Sequence, residues 1–341
     1  MPNQPWLYIA KASEADERKR LEALTARLER GMQRTFLDAV DRLGERIDVR
    51  EIIRLLRENR VSEAIAIVSE AMVRASLSPI AAMITEGVWT AGRAAVVAMR
   101  EIRSFSNIEI VFRQTNPRTS EFLQRYEMGL IREMTDEALS NVRRVITEGV
   151  NEGRNPRDIA RDVRGHIGLT RQQSQYVRNY RRNLEELDGR ALGRALRDRR
   201  SDGPVRRAID SAQPLKPEKI NSLVQAYERR WLKHRAETIA RTEAIRSLNI
   251  GNQEAWSQAA ESGQFPESKI VRKWVATHDG RTRDSHRAIP KMNEKGVGLR
   301  EPFLSPEGPI MYPGDPAAPA SMTVGCRCTV ILRYQPSRGE A

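Results

Sequence analysis

Lys269-Ile270-Val271-Arg272-Lys273-Trp274-Val275-Ala276-Thr277-His278-Asp279-Gly280-Arg281-Thr282-Arg283-Asp284-Ser285-His286 is followed, after a Pro/Gly-rich loop, by Thr323-Val324-Gly325-Cys326-Arg327-Cys328-Thr329-Val330-Ile331-Leu332-Arg333-Tyr334. These two runs decide how the chain is read. Ile270 to Thr277 reads as a strand, and Asp279-Gly280 as the turn that ends it. Thr282 is placed to cap a short helix that carries Asp284, Ser285 and His286 and stops before Pro290. From Thr323 to Tyr334 the residues alternate. Val324, Cys326, Cys328, Val330, Leu332 and Tyr334 share one face, which predicts a strand with one buried side. The loop between, Gly296 to Pro319, holds six of the 17 prolines. Such a loop is ordered only when it packs, and Phe303, Leu304, Ile310 and Tyr312 are its candidate anchors.

Two chemical readings of this stretch compete. Residues two apart on a strand lie about 6.6–6.8 Å apart, near the upper limit for a disulfide, so Cys326 and Cys328 are not expected to bridge. Two thiols on one face can grip a zinc ion, with His286 and His278 completing a Cys₂His₂ set. Against this, C-x-C is tighter than the usual C-x₂₋₄-C of zinc fingers, and two inert thiols in a small core satisfy the same pattern. Zinc is the one cofactor candidate; otherwise none is expected. Asp279, Arg281, Arg283 and His286 fit a catalytic cluster or an ion-pair network holding the turn to the loop. No paired carboxylates, phosphate-binding glycine loop or nucleophile motif accompanies them. No catalytic residue is therefore assigned.

Everything before this stretch reads as helix. Residues 14 to 47 carry leucines and other apolar side chains at helical spacing. Val49–Arg57 and Ser62–Arg74 are two short amphipathic helices, the second with Ser62 as N-cap. Ser78-Pro79 starts another. Ile108, Ile110 and Phe112 alternate before Asn116-Pro117, which marks an extended connector and a boundary. A long helix follows from Thr119 to about Glu152. Asn155-Pro156-Arg157-Asp158 and the capping box Thr170-Arg171-Gln172-Gln173 start two more. Ser201-Asp202-Gly203-Pro204 reads as a turn. Pro217 opens a helix to about Glu261 that Gly251 bends.

The expected fold is mainly α, with long amphipathic helices followed by a compact α+β module. The expected segments are an arm at 1–12, helical modules at 13–115 and 116–265, the α+β module at 266–335, and a tail at 336–341. Apolar residues make up 39% of the chain, enough for real cores, and no run of about 18 apolar residues predicts a membrane span. The N-terminus carries no signal-peptide pattern, and two cysteines in 341 residues fit a chain made in a reducing cytoplasm.

The net charge of +13 is almost wholly arginine, for the chain has only nine lysines. Arginine forks bind phosphate and carboxylate. Between Arg171 and Arg207, Arg178, Arg181, Arg182, Arg197, Arg199 and Arg200 are candidate contacts to DNA or an acidic partner. A solvated helical face explains the same pattern.

The motifs as a set resemble the phage head morphogenesis family of Mu F-like minor head proteins. They comprise Trp274, the Asp279-x-Arg281-x-Arg283-x-x-His286 pattern, Phe303, Tyr312 to Pro316, and Cys326-Arg327-Cys328. Ala240-Arg241-Thr242-Glu243 with Asn249-Ile250-Gly251 extends the likeness, as do Gly153, Pro156, Ile159 and Ala160. It covers roughly residues 116 to 335. His278 stands outside the pattern. The resemblance implies a non-enzymatic minor capsid protein of a tailed phage or prophage. It would act in procapsid assembly in the bacterial cytoplasm, and its partners would be portal, major capsid or scaffold proteins and packaged DNA. A DNA-binding protein using Arg171–Arg207, and a zinc-dependent or nucleotide-modifying enzyme, are the alternatives.

Overall fold

The computed structural model describes residues 14–74, 78–101, 112–113, 115–263, 265–277 and 279–335. The terminal arm and tail, Ile108 and Ile110 of the connector, and His278 lie outside these residues. Among the described residues there are eleven α-helices and one small antiparallel sheet. Among the described residues no helix is long and apolar enough to cross a membrane.

The helices are α1 (Glu14–Arg46), α2 (Val49–Arg57), α3 (Val61–Arg74), α4 (Ser78–Arg100), α5 (Pro117–Asn151), α6 (Pro156–His166), α7 (Arg171–Glu185), α8 (Asp202–Asp210) and α9 (Pro217–Glu261). Local signals set most starts. Asn155 caps α6 with Pro156 in its first turn, and Thr170 and Gln173 close the capping box of α7. Asn116 accepts from the Arg118 and Thr119 amides at the start of α5. Two local readings are corrected. Ser62 lies inside α3, because Arg60 already accepts the first helical bond from Ala64. Asp202-Gly203-Pro204 is the first turn of α8 rather than a free-standing turn, since proline fits where the helix needs no amide donor.

The chain forms two compact units, neither a consecutive stretch. One combines Met1–Arg34, Ile80–Glu127 and Glu237–Ala341; the other combines Thr35–Pro79 and Met128–Ala236. The units thus cut across the consecutive segments read from the sequence. The second unit has its own core of Leu169, Val177, Tyr180, Leu184, Val205, Ile220, Val224 and Tyr227. Tyr180 and Tyr227 are tilted ring neighbours there, with centroids 4.5 Å apart.

In the first unit the C-terminal module contributes β1 (Ile270–Val275), α10 (Asp284–Met292), β2 (Val297–Gly298), α11 (Ala320–Thr323) and β3 (Thr329–Tyr334). The sheet order is β2-β1-β3, with both pairs antiparallel. Trp274 pairs with Val330, and Ile270 with Tyr334. The module shares one core with α4 and α9: Ala95, Val96, Met99, Ala255, Trp256 and Ala259 meet Phe265, Ile270, Trp274, Phe303 and Leu332.

The long C-terminal strand is corrected. Thr323, read as its first residue, ends the one-turn helix Ala320–Thr323, and pairing begins only at Thr329. Gly325, at φ +66°, breaks the extended path between them. Nor is one face of β3 open. Val330, Ile331 and Leu332 are all buried, and Asn249 and Asn252 on α9 bond the Val330 amide and carbonyl. A strand covered on both sides loses the alternation that half-exposure creates.

Candidate functional site

The site lies where the turn after β1, the start of α10 and the loop before β3 meet. Asp279 fixes the turn. Its Oδ1 accepts from the Arg281 amide at 2.9 Å and from the Thr282 hydroxyl at 3.1 Å. Thr282 also donates to the Thr277 carbonyl. Thr282 therefore staples the turn and does not cap the helix; α10 begins after Arg283 with no side-chain cap. Nor does α10 stop before Pro290, which lies within it.

Arg327, between the two cysteines, forks onto the Asp279 carboxylate at 2.8 and 2.5 Å. That arginine and the amide of Arg281 hold the Asp279 carboxyl below its ordinary value against the penalty of partial desolvation. Arg283 donates to the Val324 carbonyl at 2.6 Å, while Arg281 leaves its side chain at the surface. Thr277 donates to the Arg327 carbonyl at 2.7 Å. Asp279 and Arg283 of the D-x-R-x-R-x-x-H pattern, with Thr277, thus clamp the C-R-C loop, while Arg281 gives only its amide to the turn.

Inside these clamps three side chains converge. The Nδ1 of His286 lies 3.5 Å from the sulfur of Cys326 and 3.5 Å from that of Cys328. The three donor atoms lie within 4.8 Å of one another, and all three residues are buried. Both cysteines are free thiols. The Cys328 amide donates to the Cys326 sulfur at 3.4 Å. The two sulfurs pull on each other's titration: the Cys326 thiol is pushed up by its partner and by burial, while Cys326, His286 and the Thr277 amide draw the Cys328 thiol down. The edge of the Trp274 ring closes the far side of His286, with centroids 5.5 Å apart, and Phe303 packs on Trp274 in turn. The His286 Nε2 meets no partner among the described residues.

A second network ties the Pro-rich loop to α9. Arg246 donates to the Gly314 carbonyl at 2.6 Å and to Glu243 at 2.6 Å, and its guanidinium lies over the Tyr126 ring, 4.9 Å from the centroid. Tyr126 donates to Glu243 at 2.7 Å. Thr242 accepts from the Gly325 amide, and Asn249 donates to the Pro313 carbonyl. The Asp315 carboxylate accepts from the Met311 and Ala317 amides, each at 2.9 Å, which closes the Tyr312–Pro316 turn. Of the four loop anchors, Phe303 and Ile310 are buried and bridge each other, Tyr312 packs at the core's edge, and Leu304 is exposed.

One residue of this module was not anticipated. Arg272 sits fully buried on β1. It donates to the carbonyls of Gly298 at 3.1 Å and Met311 at 2.8 Å, to that of Glu301, and to the Gln253 side chain at 3.0 Å. The Phe303 ring lies 5.1 Å from its guanidinium carbon. Burial lowers its pKa to about 10, still far above neutrality. The signal was present: Ile270, Arg272 and Trp274 alternate in phase, which puts Arg272 on the buried face.

The arginine cluster of the second unit divides. Arg178 pairs with Glu148, Arg181 with Asp162, and Arg197 with Asp202, and all three are largely covered. Arg182, Arg199 and Arg200 are exposed, Arg200 resting beside Asp198.

Fold and site together define a class: a predominantly helical chain closed by a small three-stranded module whose charges at Asp279 and Arg327 are paired with each other beside a Cys–His cluster. Residues 215–331, about a third of the chain, match the family model described as Phage Mu protein F like protein. The matched stretch takes in α9 and the module to the middle of β3, so the resemblance carried by the Ala240–Glu243, Asp279–His286 and C-R-C motifs holds there. Gly153, Pro156, Ile159 and Ala160 lie outside it. No curated protein and no solved structure matches the chain.

Proposed function

We propose that the protein is a non-enzymatic structural component of a tailed-phage or prophage head, acting in head morphogenesis. The observation that carries this reading is the match of residues 215–331 to the Mu F-like family. The chemistry of the module supports it. Asp279, Arg327, Glu243 and Arg246 are engaged with one another or with backbone carbonyls, as structural groups are. On this reading the protein is made in the host cytoplasm, enters the procapsid, and meets the portal and the capsid or scaffold proteins. Mass spectrometry of procapsids and mature heads from induced or infected cells tests it. The protein is expected in particles together with portal and capsid proteins. Its absence from both kinds of particle would rule the reading out.

Contact with packaged DNA is a second reading, favoured by the net charge of +13 and by the exposed guanidinium groups of Arg182, Arg199 and Arg200. It predicts an affinity that falls steeply with salt. Replacing these three arginines with glutamate should weaken binding uniformly across DNA sequences. Binding that ignores both salt and these changes would remove the reading.

A further inference from the structure

We propose that His286, Cys326 and Cys328 form a zinc site that fastens the first turn of α10 to the loop before β3. The inference starts from the symmetry of the cluster. One ring nitrogen faces two sulfurs at the same distance, 3.5 Å. A neutral imidazole nitrogen has one in-plane lone pair or one N–H, and either serves one thiol well, not two at once. An ion on the lone-pair axis accounts for both distances. Tetrahedral zinc with bonds of about 2.3 Å to sulfur and about 2.0 Å to nitrogen has a sulfur–nitrogen edge of about 3.5 Å. The two sulfurs need to approach to about 3.8 Å for the remaining edge. With all three donor atoms already inside 4.8 Å, that is at most a small side-chain rotation.

Charge and donor type agree with this geometry. Two thiolates and a neutral imidazole neutralise a divalent cation, so the complex can be buried without net charge. Soft sulfur donors select zinc over magnesium or calcium. The Cys328 amide already points at the Cys326 sulfur, an orienting contact of the kind that supports a ligating thiolate. Binding sends the thiol protons to solvent and forms two zinc–sulfur bonds and one zinc–nitrogen bond, with no change of oxidation state. The described residues supply three ligands; the fourth is water or a donor outside them. The surrounding clamps, Asp279–Arg327 and Arg283 to Val324, hold the same two segments together, so the ion completes a fastening the side chains begin.

The test uses the reduced full-length chain, stripped with a chelator and titrated with cobalt(II), then zinc(II). The chain has two cysteines. A thiolate-to-cobalt charge-transfer band therefore identifies them as ligands without any substitution. The expected result is one cobalt per chain with a tetrahedral spectrum, displaced by one equivalent of zinc, and a rise in the unfolding midpoint. Cys328→Ser should weaken zinc by about a hundredfold or more, beyond the loss typical of outer-shell changes, and His234→Ala, at an exposed histidine of α9 outside the cluster, should leave it unchanged. If the cysteine variant does not fold, the wild-type band and stoichiometry decide. A folded, reduced wild-type chain that gives no charge-transfer band, or that binds only weakly and without stoichiometry, overturns the proposal. So does a Cys326→Ser/Cys328→Ser protein that binds zinc as the wild type does. These readouts are independent of whether the protein enters a phage head.

Discussion

Arg272 shows how one side chain organises a loop that has little regular structure of its own. Its guanidinium gathers the carbonyls of Gly298, Glu301 and Met311, 26 to 39 residues further along the chain, around a fully buried position. Removing it breaks its bonds to the Glu301 and Met311 carbonyls and the Gln253 oxygen, each a charge-assisted bond contributing about 1.5–3 kcal/mol. Arg272→Leu is therefore expected to destabilise the first unit by about 3 kcal/mol or more, measured by urea unfolding. Arg272→Lys should fall between, because an ammonium cannot reproduce the planar fork. Arg327→Ala offers the contrast. Its pair with Asp279 is partly exposed, and a loss of only about 1 kcal/mol is expected in the same assay. Equal losses for Arg327→Ala and Arg272→Leu would contradict this account.

At the scale of elements, α9 is set by close approach on one side and by a buried acid on another. Gly251 lets the backbone of α4 come near. A Cβ there would stand 2.1 Å from the Val88 carbonyl oxygen and 2.8 Å from the Ala91 Cβ. Gly251→Ala is expected to cost about 1–3 kcal/mol through overpacking. Gly129→Ala, in α5 with nothing within 4 Å of the added carbon, should be neutral or stabilising by up to about 1 kcal/mol. Paired thermal melts distinguish the two.

Glu228, earlier in α9, is buried against α6, and a Cβ on Gly165 would stand 2.5 Å from its carboxylate. Burial, with the Asp162 charge adding to it, pushes Glu228 up to about 8. Burial pushes His166, 3.7 Å away, down to about 4. The folded protein keeps a proton on Glu228 that the unfolded chain loses, so this stability declines as pH rises toward 8. His166 acts oppositely between about 4 and about 6.5, where unfolding takes up a proton. Above about 6.5 His166 no longer opposes Glu228, whose own share of the loss is about 2 kcal/mol by pH 8; Glu243, which burial also pushes up to about 8, adds a decline of the same sign. Unfolding of Glu228→Gln should show a decline shallower by about that 2 kcal/mol share; an unchanged pH profile would disprove the assignment.

At the scale of the whole molecule, the C-terminal module depends on residues distant in sequence. Its core includes Val96 and Met99 of α4 and Trp256 of α9. A fragment of residues 266–335 alone is expected to lack cooperative unfolding and dispersed amide resonances. A sharp calorimetric transition in that fragment would show that the module stands by itself.

Local chemistry determined a great deal of this structure. Helical periodicity, proline at helix starts, the Thr170 capping box and the Asp279 turn act within a few residues, so they are written where they operate. The cysteines and His286 were also legible as neighbours, because the motif spacing brought them to one small module. Tertiary structure decided the rest. Burial of β3 on both sides erased the alternation on which its predicted length rested, and the positive φ of Gly325 moved its start to Thr329. The carbonyls around Arg272, the contacts of Glu243 with Tyr126 and of Arg246 with Gly314, and the pairing that covers Arg178 and Arg181 arise from segments brought together only by folding. Sequence spacing states which side chains a segment offers; it does not state which carboxylate, carbonyl or sulfur will face them, since that depends on contacts across tens to hundreds of residues.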